Sequence, residues 1–228
     1  MIKEEEKLDN PVWFSLIESH KAFALEYGNI KFYHPDYCPF GGYTGDEKIS
    51  EGIARYANKT SNFYVVGRQP DLLQNVKLNK ELVCNQMVLK DAVDIEINEK
   101  IIKLDAERSS DLIELVNLVQ PGYFKSKTPL LGNYFGISKD EKLVAVTGER
   151  MKMNAYTEIS AVITHPDYTG RGYAKQLVSF TANQIFKENK RPYLHVAEAN
   201  TGAVKLYEKL GFEIRRKISF WNLIKMEN

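Results

Sequence analysis

Between Ala161 and Ala174 the chain reads Ala-Val-Ile-Thr-His-Pro-Asp-Tyr-Thr-Gly-Arg-Gly-Tyr-Ala, a β-branched run leading through a glycine-bearing turn into a helical pattern. Glycine at such a turn leaves backbone N–H groups without partners and lets an anion approach them closely. The dipole of the helix adds favourable potential there. The turn suits a phosphate, and the same residues also suit an ordinary strand-to-helix connection. The helix behind it carries Ala174, Leu177, Val178, Thr181 and Ile185 on one stripe. No Gly-Lys-Ser/Thr of a P-loop follows, and Gly170-Arg171-Gly172 lacks the third glycine of a dinucleotide fingerprint, so neither of those nucleotide sites is present.

Three further positions bear on chemistry. In the strand Thr157 to Thr164, alternation puts Glu158, Ser160, Val162 and Thr164 on one face and Ile159, Ala161 and Ile163 on the other. The strand Tyr193 to Ala197 holds His195, whose imidazole can take up a proton. The helix Thr201 to Leu210 aligns Tyr207 with Ala203 and Leu210, which reads as an aromatic packed on an amphipathic face. Asn200 stands where a helix cap belongs.

Two blocks in this order resemble the GNAT (general N-acetyltransferase) superfamily, whose acyl-CoA loop follows Arg/Gln-x-x-Gly-x-Gly/Ala after a strand. Gly172 and Ala174 match that pattern, and Thr169 stands where it has arginine or glutamine. The second block is Leu194 to Asn200 with Ala203 and Leu206 to Phe212, which looks like the family's later strand and helix. Thr157 to Val162 with Thr164-His165-Pro166 is similar to the glycine N-acyltransferase-like branch. The resemblance covers residues 101–228. Residues 9–100 resemble only loosely the bacterial GNAT-like proteins with an N-terminal extension.

The resemblance implies a mixed sheet, splayed near its middle, with acyl-CoA lying between two strands. Pantetheine would pair with backbone at Val162, Ile163 and Thr164, and the pyrophosphate would rest on Gly170, Arg171, Gly172, Tyr173, Ala174 and Lys175, with Asn200 a further coenzyme contact. Tyr207 becomes the candidate general acid for the departing thiolate. Glu158 is the first candidate for the base and His195 its rival. The implied reaction is transfer of an acetyl or other short acyl group from acetyl-CoA, as cosubstrate, to a primary amine in a direct ternary complex. A non-catalytic acyl-CoA sensor is the alternative.

The surrounding elements are those of an α/β chain. Pro11 to Tyr27 reads as a helix stopping at Gly28, Ile30 to Tyr33 as a strand, His34 to Gly45 as a loop, and Asp46 to Asn58 as a second helix. Strands follow at Asn62 to Gly67 and Leu82 to Leu89. Val93, Ile95 and Ile97 alternate within the acidic run Asp91 to Glu99, and a boundary placed near Asn98 divides an N-terminal α/β region (1–98) from the acyltransferase domain (99–228). The second region reads as strand (Ile101 to Leu104), helix (Ser109 to Val119), strands (Tyr134 to Ser138, Lys142 to Met151, Thr157 to Thr164), helix (Gly170 to Glu188), strand, helix, and a closing pair of strands over Phe212 to Ile224. The loops 34–45 and 121–133 are expected to build the acceptor pocket.

Composition narrows the class. The chain has 228 residues, 43% hydrophobic and 27% charged, enough to bury a full core. The net charge of +1 carries no polyelectrolyte bias toward nucleic acid or an anionic membrane, although residues 1–100 hold 12 basic and 16 acidic side chains and residues 101–228 hold 19 and 14. An anionic ligand is therefore expected in the second half. Two cysteines, Cys38 and Cys84, form no disulfide framework or metal motif, and no apolar run of membrane length occurs, so no metal is expected and a reducing cytoplasm is. His20, His34, Trp13 and Trp221 read as packing residues, and Arg215 to Lys217 as a solvated strand end.

Overall fold

Strands form where β-branched and aromatic residues concentrate, and in this chain they join one sheet. The computed structural model describes residues 2–45 and 47–226. In chain order its strands are β1 (Ala24–Tyr27), β2 (Ile30–Tyr33), β3 (Phe40–Tyr43), β4 (Asn62–Val66), β5 (Val76–Val88), β6 (Ile102–Leu104), β7 (Tyr134–Lys139), β8 (Lys142–Arg150), β9 (Tyr156–Thr164), β10 (Arg191–Ala197) and β11 (Glu213–Lys225). They lie in the order β1-β2-β3-β4-β11-β5-β10-β9-β8-β7-β6. The pairs β3–β4 and β9–β10 are parallel and the rest antiparallel. This is the expected α/β class with a mixed central sheet. The sheet is continuous across Asn98, because β5 stands between β10 and β11.

Helices α1 (Pro11–Ile17), α2 (Ile49–Tyr56), α3 (Ser109–Val119), α4 (Tyr173–Lys187) and α5 (Thr201–Lys209) cover the two faces. Adjacent strand residues show which face each takes, since successive side chains point oppositely. On β7, Tyr134 packs with Leu112, Leu115 and Val116 of α3, whereas Phe135 packs with Tyr173 and Leu177 of α4. On β10, Tyr193 joins the cluster holding Val12 and Leu16 of α1, whereas Leu194 and Val196 join Val178, Ile185 and Tyr207 of α4 and α5. Each fully buried aliphatic or aromatic side chain in these clusters contributes about 1.5–3 kcal/mol.

Several N-terminal expectations are corrected. The helix expected to reach Tyr27 ends at Ile17, and its last part is a hairpin strand: Tyr27 pairs with Ile30 across Gly28-Asn29, with Gly28 at φ +64°. Gly28 therefore turns a hairpin rather than ending a helix. The loop expected over His34 to Gly45 contains β3, whose glycines serve close packing: a Cβ on Gly41 would lie 2.3 Å from the Phe32 ring. The second helix begins at Ile49, and Asp46, its expected first residue, lies outside the described residues.

In the middle of the chain Val93 to Ile97 forms no strand. It runs along α4, held by Asn183 on the N–H and carbonyl of Val93 and by Gln176 Oε1, which accepts from the N–H groups of Asn98 and Glu99. The tail is one strand instead of a pair, kinked by a register shift between Ile214 and Arg216. Arg215 is no solvated strand end, since its Nη1 donates to Asp9 at 2.7 Å and to Gln86 at 3.1 Å.

Candidate active site

The site begins where two parallel strands part. β9 and β10 pair only from Tyr156↔Arg191 to Ile159↔Leu194, after which β9 stays with β8 and β10 with β5. The β10-side edge of residues 160–164 is thus left without a strand partner. A bulge in β9 contributes: Gly148 opposes Ser160 and Val146 opposes Ile163, and the extra residue Ala161 takes φ +51°. The bulge also reverses the simple alternation expected from sequence, so that Ala161 and Ile163 pack toward α3 while Ile159 and Val162 pack toward α4.

A cavity of about 310 Å³ occupies the parting. Ala174, Asn200, Leu206 and Tyr207 line it from the α4 and α5 face, and Phe40, Tyr123, Phe124 and Phe220 from the α1 and α3 face. It therefore passes through the sheet between β9 and β10. Both loops expected to shape an acceptor pocket, 34–45 and 121–133, supply wall residues.

The glycine turn leads into Ala174, which lines the cavity. Gly170 and Gly172 have φ +75° and +76°, a Cβ at either would meet no atom within 4 Å, and Gly172 is the residue before α4. Among the described residues no backbone acceptor takes the N–H of residues 170–175, the first such bond beyond them running from Gln176 to Gly172. Several N–H groups and a helix start thus face open space, which is what an anion needs. Thr169 turns away, its Oγ1 donating to the Pro166 carbonyl at 3.1 Å. Arg171 lies over the Tyr168 ring at 4.8 Å.

Deeper in, the two base candidates touch each other. His195 Nδ1 donates to Glu158 Oε1 at 2.8 Å, and its Nε2 accepts from Gln86 Nε2 at 3.0 Å, which places the proton on Nδ1. Arg150 completes the group: Nε donates to Glu158 Oε2 at 2.7 Å and Nη2 to Oε1 at 2.9 Å. Burial works to raise the Glu158 carboxyl, but the charge and hydrogen bonds of Arg150, aided by His195, outweigh it and hold the group at about 2. Glu158 is therefore a fixed anion with both oxygens engaged. His195 lines the cavity and Glu158 does not.

Tyr207 lies across the cavity, buried among Leu194, Val196 and Phe212. Its hydroxyl makes no hydrogen bond to any described residue, and burial pushes it up to about 12. Asn200 both caps and lines: its Oδ1 accepts from Ala203 N at 3.2 Å, which leaves its amide N–H groups for another partner. Among the described residues no group of three or more His, Cys, Asp or Glu side chains is placed to hold a metal.

Two residues of this cluster escape a reading of the sequence. Arg150 ends β8 directly opposite Glu158, and Gln86 on β5 is opposite His195, 109 residues away. The first could have been found by counting outward from the β8–β9 connection, which brings Arg150 level with Glu158. The second has no local signal.

The family model for FR47-like protein matches residues 134–221, the stretch that builds the parting strands, the glycine turn and Tyr207. A Novosphingobium aromaticivorans protein assigned to the GNAT acetyltransferase family superposes with a TM-score of 0.88 at 28% identity, over 96% of this chain and 99% of that one. The chain is an enzyme of the GNAT fold, similar to N-acetyltransferases. A GCN5-related N-acetyltransferase-like protein from Streptococcus suis (TM-score 0.65, 15% identity, 92% of each chain) shares the fold. So does a GCN5-related N-acetyltransferase from Kribbella flavida (TM-score 0.63, 13% identity, 94% and 96%). No curated protein matches. The Novosphingobium likeness takes in nearly the whole enzyme, so residues 1–98 are part of what is shared.

Proposed function

We propose that this enzyme moves an acetyl or other short acyl group from coenzyme A to a primary amine, in a direct complex of both substrates. The observation that carries the reading is the cavity between β9 and β10, with an unpaired strand edge along it and an anion-accepting turn that leads into its lining residue Ala174. The backbone of Val162, Ile163 and Thr164 offers N–H and C=O groups to a pantetheine amide. The N–H groups of Gly170 to Lys175 take the pyrophosphate, in the half of the chain that carries the positive excess. Asn200 adds a side-chain amide.

In this reading His195 is the base and Glu158 the positioning residue behind it. An amine N–H replaces the Gln86 donor at Nε2, while Gln86 keeps its second N–H on the Leu8 carbonyl at 2.7 Å. The fixed anion of Glu158 stabilises the imidazolium formed as the amine nitrogen attacks the thioester carbonyl. Tyr207 supplies a proton to the sulfur as the C–S bond breaks. Both cysteines are free, and burial pushes each thiol up to about 12, which makes them poor nucleophiles and fits direct transfer. Free cysteines also fit a reducing cytoplasm. The test is thiol release from acetyl-CoA across a panel of amines. Amine-dependent release with an N-acetylated product is expected, and acetyl-CoA binding without any such release would make the chain a sensor instead.

A further inference from the structure

The acceptor side of the cavity carries an unusual charge arrangement. Among its described lining residues there is no aspartate, glutamate or lysine, and Arg150 is the one side chain with a permanent charge. Its counter-ion Glu158 sits behind it, out of the cavity and fully buried. A guanidinium has five N–H donors in a rigid fork, and Glu158 uses one on Nε and one on Nη2. Nη1 makes no hydrogen bond to any described residue, while the side chain remains 16% exposed. The edge formed by Nη1 and the second Nη2 hydrogen is the geometry that takes a carboxylate through two parallel bonds. The Phe40 ring, 4.6 Å from the guanidinium carbon, holds the fork in place.

Building on the acyl-transfer reading, we infer that the acceptor is a free amino acid with an apolar or aromatic side chain, its carboxylate held by Arg150 and its amine presented to His195. Four observations converge. Glu158 Oε1 accepts from both Arg150 and His195, so the two cavity-lining side chains that would take the carboxylate and the amine meet on a single buried anion. Tyr123, Phe124 and Phe220 give the wall aromatic surface, suited to an apolar body. A polyamine or a lysine in a basic segment would meet a guanidinium and find no anion in the wall to balance it. The volume, shared with the thioester end of the coenzyme, suits a single residue rather than a folded partner.

The experiment compares phenylalanine, tyrosine and leucine with their decarboxylated counterparts phenethylamine, tyramine and 3-methylbutylamine, following thiol release and product mass. For each pair the carboxylate is expected to raise kcat/KM by about 10²-fold or more, because a buried fork left without its partner rejects the truncated analogue. In Arg150→Lys, which keeps the charge and loses the fork, the preference for each amino acid over its amine, read as the ratio of their kcat/KM values, should fall at least about tenfold. Amines that match or exceed their amino acids in the unmodified enzyme overturn the inference, whatever the variant does. No release from any of the six compounds while another amine of the panel is acetylated overturns the inference and leaves acyl transfer standing, whereas acetyl-CoA binding with no release from any amine removes both.

Discussion

Glu158 receives a hydrogen bond from His195 at 2.8 Å and two from Arg150 at 2.7 and 2.9 Å, so one carboxylate ties together β8, β9 and β10 at the point where the sheet opens. The anion anchors the structure and, in the proposed reading, also positions the base, two roles that substitution separates.

Glu158→Gln leaves Arg150 buried without its counter-charge. A loss of about 3–5 kcal/mol in stability is expected, as for a buried ion pair broken on one side, together with a fall in turnover of about 10²-fold. His195→Ala leaves the Arg150–Glu158 pair intact and should lower turnover comparably at a smaller stability cost. Urea unfolding paired with kcat for both variants makes the comparison. A Glu158→Gln protein of normal stability would remove the anchoring role.

Acid should destabilise the fold in two stages. Burial holds His20 down to about 4 from an ordinary 6.5, so the unfolded chain takes up that proton first and stability falls as pH drops from about 6.5 toward 4. Glu158 is held at about 2 against an ordinary 4.5, so its contribution is lost as pH falls from about 4.5 through 2. Both losses have the same sign, and no gain is expected below neutrality from either group. Replacing His20 with glutamine should flatten the upper stage in a denaturant series run across pH, and an unchanged slope between pH 6.5 and 4 counts against it.

Much of the second half is legible in sequence because its signals are local. Ser109 to Val119 forms the expected helix, and the strand and helix flanking the glycine turn fall within a few residues of expectation. The first half misleads where one local signal has two physical causes. Gly28 could end a helix or turn a hairpin, and what separates the two is the pairing of Ala24–Tyr27 with Ile30–Tyr33. The glycines at 41 and 42 mark close packing rather than turns. At the site, Glu158, His195 and Tyr207 are visible as residues with chemistry. The partners that fix Glu158 and His195 are Arg150, brought level across the β8–β9 connection, and Gln86, which only the register between distant strands brings beside them.

Tyr207→Phe keeps the ring and its packing on Phe212, 6.0 Å between centroids, and removes only the hydroxyl. Thermal stability and acetyl-CoA affinity should be preserved while turnover falls by about 10²-fold, with the loss in kcat rather than in KM for acetyl-CoA. Turnover equal to that of the unmodified enzyme would leave Tyr207 as core packing.

Gly172→Val puts a β-branched residue at φ +76°, a region such residues avoid, and moves the N–H groups at the start of α4. The turn is exposed, so the fold should persist while acetyl-CoA affinity drops at least about tenfold in a calorimetric titration. Unchanged affinity would take the pyrophosphate away from this turn.

Initial rates of thiol release, measured with acetyl-CoA and an amine acceptor varied together, test the central claim most directly. Transfer inside a single complex between β9 and β10 predicts intersecting double-reciprocal lines and no thiol above background without amine. Parallel lines with an acylated protein in the mass spectrum, or bound acetyl-CoA with no amine-dependent thiol, would contradict it.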